Sequence, residues 1–298
     1  MTHASPSAAP RLSADALLRL EREQVTDAQL NRYADLVYRR TGIRLSPQKK
    51  MLLTNRLRRR LRETNIDCFD KYFDLLTRLQ ADNPEWDAFL QEITTHETYL
   101  FRDEPHWNWF RQVFLPQIAA AGQRRERPKT LRIWSAACST GDEATTIACC
   151  VAACLPNANT WNVRIIGTDI GIDAVAEAKR ATFSERSMKL VPDDYRKRFF
   201  TELTTERRWK AKPQLTDMQS FRRHNLLDPP GEEPFDLVFL KNVLIYFDGP
   251  SKQSVMKHIR AAMKPGGMLV AGAAEGVGEF VKGLERLDTW LFRNPPIV

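Results

Sequence analysis

Apolar residues recur at helical spacing through the first third of the chain, in Leu30-Tyr33-Leu36-Val37, in Leu53-Leu57-Leu61 and in Phe69-Tyr72-Phe73-Leu76, so residues 25–121 are expected to form a helical domain. Turn signals at Thr41-Gly42 and Asn83-Pro84 divide it into separate helices. The polar stretch Gly122-Gln-Arg-Arg-Glu-Arg-Pro128 marks 122–129 as a linker, and beyond it the pattern changes. Leu131-Arg-Ile-Trp134 and Arg164-Ile-Ile-Gly-Thr-Asp169 read as short strands, Phe235 to Phe247 is a long apolar run with a polar break, and Met268-Leu-Val-Ala271 starts another strand. Helical stretches lie between them. This alternation predicts an α/β domain over 130–298, a mainly parallel sheet with helices on both faces. Thr204 to Phe221 interrupts it, polar and without period, too long for a tight turn and too poorly patterned for a crossover helix, and a small accessory hairpin fits there. Residues 1–24 are expected to be a loosely ordered tail.

With 298 residues the chain is long enough for one large or two ordinary domains, and its 43% hydrophobic content is that of a globular protein. The opening MTHASPSAAP has no apolar stretch of signal-peptide length, and nothing approaches the roughly 18 uninterrupted apolar residues of a membrane span. A cytoplasmic protein without membrane insertion is expected. Cys68, Cys138, Cys149, Cys150 and Cys154 form an odd set without a CxxC pair, which favours reduced thiols over disulfides or a metal site.

Charge is uneven. Of the net +8, most is N-terminal: residues 11–80 hold 16 Lys and Arg against 9 Asp and Glu, densest in Arg56-Leu-Arg-Arg-Arg-Leu-Arg62. Leu53, Leu57 and Leu61 form the apolar stripe of that helix, and Arg56, Arg58, Arg59, Arg60 and Arg62 lie mostly off it. Such a run is either a solvated face or an electropositive surface for an acidic partner.

The candidate chemistry centres on Leu131 to Glu143, a strand running into small residues and then a helix with Asp142 and Glu143 in its first turn. A ligand can approach the backbone there. Asp169, an acid at the end of the second strand, stands where ribose hydroxyls are held in nucleotide-binding α/β folds; its competing role is as the cap of the helix that follows. A dinucleotide would need G-x-G-x-x-G for its pyrophosphate, and this loop offers one glycine followed by two acids. Two acids repel pyrophosphate and suit a cation, which favours the amino group and sulfonium of S-adenosyl-L-methionine. Asp103 and Glu104 are expected to cap the next helix.

Several long motifs, in order, resemble the chemotaxis receptor methyltransferase (CheR) family. They are Gly42-Ile-Arg-Leu45 with Lys49 and Lys50, Arg56-Leu57-Arg58, Thr94-Thr-His-Glu-Thr-Tyr-Leu-Phe-Arg102, Ile133-Trp-Ser-Ala-Ala-Cys-Ser-Thr-Gly141 with Glu143, Thr168-Asp169, Asn225-Leu226, and Asn242-Val-Leu-Ile-Tyr-Phe247. The resemblance implies a helical N-terminal domain before a Rossmann-like class I methyltransferase domain with a small inserted β-subdomain at about 204–221. It implies transfer of a methyl group from S-adenosyl-L-methionine to chemoreceptor glutamates, leaving S-adenosyl-L-homocysteine. By motif, the cofactor residues are His96, Thr98, Arg102, Glu143, Asp169, Asn225, Leu226, Leu240 and Lys241, with His96 standing where the family usually has asparagine and Lys241 where it has arginine. Arg102 and Tyr246 are the implied catalytic residues, although Tyr246 also suits a core position in an apolar strand. Arg56 to Arg62 would contact the helical methylation region of the receptor. The family members that bind a receptor C-terminal tail carry glycines in the β-subdomain loop that 204–221 lacks, so no such dependence is expected. An RNA methyltransferase, with the arginines on phosphate, and a non-catalytic sensor are the alternatives; the arginine run has no aromatic platform, and no nucleic-acid partner is expected.

Overall fold

The computed structural model describes residues 12–80, 83–94, 97–272 and 275–296. They divide into two compact units at Thr95/His96, not at residue 121.

Among the described residues the first unit forms the α-helices α1 (Ala14–Arg22), α2 (Asp27–Thr41), α3 (Lys50–Thr64), α4 (Phe69–Arg78) and α5 (Pro84–Ile93). Part of the expected tail is therefore ordered: Ser13 caps α1 through its hydroxyl, and Leu20 is buried. Residues 1–11 lie outside the described residues. Thr26 and Gln29 close a reciprocal capping box on α2, and Gly42 ends that helix in the left-handed region at φ 70°. Asn83 caps α5 by accepting the Glu85 amide. The helical stripes meet in an aromatic core of Tyr33, Tyr72, Trp86 and Phe89, with ring centroids 5.8–6.0 Å apart in the Tyr33–Phe89, Tyr72–Phe89 and Trp86–Phe89 pairs.

The second unit is built on a seven-stranded sheet. The described strands of this unit, shared between that sheet and a smaller one, are in chain order β1 (Thr130–Ala136), β2 (Asn162–Asp169), β3 (Thr182–Ser184), β4 (Phe200–Leu203), β5 (Arg208–Ala211), β6 (Gln219–Arg223), β7 (Phe235–Leu240), β8 (Met263–Ala271), β9 (Glu285–Arg286) and β10 (Leu291–Arg293). The large sheet runs β6-β2-β1-β7-β8-β10-β9, parallel from β6 to β8 and antiparallel at β10 and β9. β7 is buried at every residue, as a central parallel strand covered on both faces should be.

Residues 104–123, expected in the helical domain or at its linker, belong here. Trp107, Phe110, Phe114, Leu115 and Ala119 share one core with Ile133, Ile165, Leu237 and Phe239 of the sheet. Helical periodicity alone could not say which unit would bury that face. A π-helical turn, Phe110–Phe114, within this helix brings the Phe110 and Phe114 rings into a stack at 5.6 Å.

The inserted subdomain also differs in extent. It is the three-stranded antiparallel sheet β3-β5-β4, so it begins at Thr182 and ends at Ala211. The later part of 204–221 forms a short helix, Pro213–Thr216, and then β6, which pairs in parallel with β2. β6 is short and charged because it is an edge strand, half exposed, and so gives little hydrophobic signal. Among the described residues no helix is long and apolar enough to cross a membrane. All five cysteines are free thiols.

Candidate functional site

Residues from β1, β2, β7 and β8 come level at the carboxyl ends of their strands: Ala136 is in register with Thr168 and with Leu240, and Leu240 with Ala271. That edge is where open α/β sheets hold ligands. The loop after β1 turns sharply there, with Ala137, Ser139 and Gly141 all at positive φ (59°, 51° and 87°). Glycine at 141 is needed twice over, since a side chain would be strained at that φ and its Cβ would come within 2.9 Å of the Ala178 Cβ.

Asp169 holds backbone on both sides of the sheet edge. Its Oδ1 accepts the Gly171 amide and its Oδ2 accepts the Ser139 amide, both at 2.9 Å, so one buried carboxylate ties the β1 loop to the start of the helix after β2. Asn225 and Leu226 follow β6 next to it: the His224 amide donates to the Asp169 carbonyl (2.8 Å), the Asn225 side chain accepts the Leu227 amide (3.1 Å), and Leu226 is buried.

Asp142 and Glu143 are not an open acidic lip. Asp142 is fully buried and its Oδ2 accepts the Thr140 hydroxyl at 2.7 Å. Glu143 accepts the Ser135 hydroxyl at 2.8 Å, and its other oxygen lies 3.7 Å from the Lys241 ammonium. Burial pushes both carboxyls up, and Lys241 opposes that for Glu143. The electrostatic argument for a cationic ligand therefore changes, because Glu143 already has a resident cation.

Lys241 is buried at the end of β7. Its ammonium donates to the Arg102 carbonyl at 3.1 Å, pairs with Asp103 at 3.1 Å and lies 4.9 Å from the centroid of Trp107. Asp103, expected as a cap, makes no side-chain capping bond at its helix and turns to this contact instead. Arg102 stands between two left-handed residues, Phe101 (φ 59°) and Asp103 (φ 66°), a strained frame of the kind found at functional sites. Its guanidinium lies 5.6 Å from the Tyr99 ring and donates to the Glu97 carbonyl at 3.3 Å. Thr98 is half-buried in the same segment, next to Tyr99. His96 lies outside the described residues.

Tyr246 is not a strand residue. It sits half-buried in a 3₁₀ turn, Leu244–Tyr246, after a left-handed Asn242 (φ 59°). That turn is organised by a residue the sequence reading missed. Glu275, fully buried, accepts the Val243 amide at 3.0 Å and the Ile245 amide at 3.2 Å. A lone glutamate between glycines after a strand gives no periodic signal.

In the first unit the arginines of α3 are largely engaged. Arg56 donates to the Ile93 and Thr94 carbonyls at 2.6 and 3.0 Å, and Arg58 to the Glu23 carbonyl at 2.7 Å, so the two close the ends of α5 and α1. Arg60 is buried and grips Glu85 with two nitrogens (2.6 and 3.1 Å) while also pairing with Glu63. Arg59 pairs with Glu92 at 3.0 Å and Arg62 with Glu21 at 3.3 Å, with 65% and 46% of their side chains exposed. Only these last two fit the expectation of an open basic face.

The strand order, the one antiparallel excursion at its far edge and a ligand edge at the strand ends define a Rossmann-like class I methyltransferase fold. The chain belongs to the CheR methyltransferase family: its SAM-binding domain matches residues 96–289 and its all-alpha domain residues 28–94. The chemotaxis protein methyltransferase of Salmonella typhimurium is 31% identical over 284 residues, covering 93% of each chain. That of Escherichia coli is 33% identical over 262 residues, covering 86% of each. Chemotaxis protein methyltransferase 2 of Pseudomonas aeruginosa is 34% identical over 245 residues, covering 80% of this chain and 83% of that one.

Proposed function

We propose that this methyltransferase is a protein-glutamate O-methyltransferase of the cytoplasm, acting on the helical methylation region of chemoreceptors. The observation that carries the reading is the convergence of Arg102, Lys241, Glu143, Asp169 and the Tyr246 turn on one edge of the sheet. The residues present suit S-adenosyl-L-methionine. Asp169 stands at the end of β2, where folds of this kind hold ribose hydroxyls, the strained β1 loop offers close backbone approach, and Asn225, Leu226 and the Leu240 backbone border the same edge. Glu143, Thr98 and His96 complete the assignment by motif. When bound, the cofactor would supply a methyl carbon made electrophilic by the sulfonium, with sulfur able to take the C–S electron pair as the glutamate oxygen takes the methyl group, which would leave S-adenosyl-L-homocysteine.

The acceptor needs no general base, because a glutamate of ordinary pKa (about 4.3) is ionised at neutral pH. The work left to the protein is orientation and the exclusion of water. Arg102 would hold one carboxylate oxygen and aim the other, and the Tyr246 hydroxyl would orient the nucleophile. Attack by an anion on a cation cancels charge, so a dry site lowers the barrier. Arg59 and Arg62 would meet the acidic receptor surface, and the β4–β5 loop, with no glycine between Leu203 and Arg208, gives no support for dependence on a receptor C-terminal tail.

The test is transfer of tritium from labelled S-adenosyl-L-methionine to receptor-containing membranes, followed by base. Label released as methanol is expected; base-stable label, or label on RNA, sinks the reading. Tight binding of a receptor C-terminal peptide would refute tail independence.

A further inference from the structure

Glu275 is a buried carboxylate without a part in the chemistry above. Both of its oxygens face backbone amides of the segment after β7: Oε1 accepts Val243 and Oε2 accepts Ile245, while Asn242 and Leu244 amides also act on it. The turn that carries it is itself tied down. The Gly272 amide donates to the Leu240 carbonyl at 3.3 Å, the Glu275 amide to the Gly272 carbonyl at 3.1 Å, and the Lys252 ammonium to the Glu275 carbonyl at 2.8 Å. Gly272 leaves room for this approach, since a Cβ there would stand 3.1 Å from Oε1 and 3.3 Å from the Asn242 amide nitrogen. Successive amides turned toward one anion form a nest of the kind that binds phosphate elsewhere; here the chain fills it with its own side chain.

We propose that Glu275 is a positioning residue of the transfer site, fixing the segment from Lys241 to Tyr246 through its amides and so setting the rate of transfer. The inference rests on the reading of Tyr246 given under the proposed function. Asn242 is left-handed at φ 59°, which asparagine tolerates better than most residues, and the turn that follows it is held by the Val243 and Ile245 amides on the Glu275 carboxylate. Neither end of the segment can shift without loosening it, because Lys241 leaves the sheet at one end and Tyr246 leaves the turn at the other. A glutamine in the same shape would keep one acceptor and aim an N–H₂ at an N–H, so a pair of acceptor oxygens, beyond the side-chain volume, is what the segment requires.

The experiment compares the full chain with Glu275→Gln and with Lys252→Met, which removes a bond to the same turn but leaves the carboxylate in place. Hydrogen exchange is followed for the Val243 and Ile245 amides, cofactor affinity by calorimetry, and methyl transfer for kcat and KM. In the unaltered chain those two amides are expected to exchange at least about a hundredfold more slowly than an unprotected peptide; free exchange there overturns the inference whether or not the variant folds. In Glu275→Gln they should speed up at least tenfold, with kcat falling about tenfold or more and cofactor affinity held within threefold. Lys252→Met should keep kcat within twofold. Unchanged exchange in Glu275→Gln, unchanged kcat despite faster exchange, or an equal loss in Lys252→Met would each overturn it. A chain that transfers no methyl group to glutamate would defeat the proposed substrate, and is told apart because the exchange of the two amides reports the grip of Glu275 without any turnover.

Discussion

The Lys241 ammonium and the Asp103 carboxylate meet at 3.1 Å, joining the end of β7 to the strained turn that presents Arg102. The same ammonium takes the Arg102 carbonyl and faces Glu143, so one lysine holds two carboxylates and a carbonyl in a buried place. Removing it strands Glu143. Lys241→Met should lower stability by about 3–5 kcal/mol, the usual cost of a buried charge left without its partner. Chemical denaturation of the variant checks this, and a loss under about 1 kcal/mol would show that water or another group takes over.

Asp169 serves the loop, and by proposal the ligand, so its replacement should have two readouts. Asp169→Ala is expected to abolish measurable cofactor binding by calorimetry. It should also cost about 1–3 kcal/mol of stability through the stranded Ser139 and Gly171 amides. Retained affinity would end the assignment of Asp169 to the cofactor.

His106 is buried against Trp290, ring centroids 4.5 Å apart, and burial, with Lys241 next in weight, pushes its pKa down to about 4. The folded state thus keeps it neutral while the unfolded chain takes a proton below about 6.5. Its contribution is whole above pH 6.5 and is lost as pH falls toward 4, about 3 kcal/mol in all. Glu275 works in the opposite sense: desolvation, outweighing the amides that face it, raises its pKa to about 7, so stability from this group falls as pH rises from about 4.5 to 7. Stability curves of His106→Gln and Glu275→Gln against pH, each subtracted from the unaltered chain, should slope in opposite directions. Slopes of the same sign would contradict both assignments.

Arginines of one run should separate by function. Charge reversal at Arg59 and Arg62 should raise the KM for receptor at least fivefold, with kcat and unfolding midpoint nearly unchanged. Arg60→Ala should instead destabilise the helical unit by about 3 kcal/mol, because Glu85 and Glu63 lose a buried partner. A receptor defect in Arg60→Ala at full stability would reverse this division.

What could be read in advance followed from local patterns. The stripe Leu53-Leu57-Leu61 and the strand at Leu131 each carry their own period, and both are where expected. The β1 loop, Asp169 and the strand-to-turn break at Lys241-Asn242 were marked by small residues and by polar groups at strand ends. The misplaced features depend on distant partners. Whether Trp107 and Phe110 serve the helical unit or the sheet is settled by Phe239, which stacks on Trp107 at 5.2 Å. β6 exists because β2 offers it an open edge, and Glu275 matters because the chain folds its carboxylate under the amides of Val243 and Ile245, far back along the sequence.

The pairing of α3 bears on how the helical unit meets other molecules. A guanidinium beside a carboxylate presents a dipole, whose field fades with distance far faster than that of a lone charge and is screened within about 8–10 Å at ordinary salt. Arg59 with Glu92 and Arg62 with Glu21 are such dipoles, and Arg60 with Glu85 is one turned inward. The positive count of this segment is therefore mostly neutralised at home. A partner would be recognised at touching distance, by exchanging one carboxylate for another, with little capture from afar.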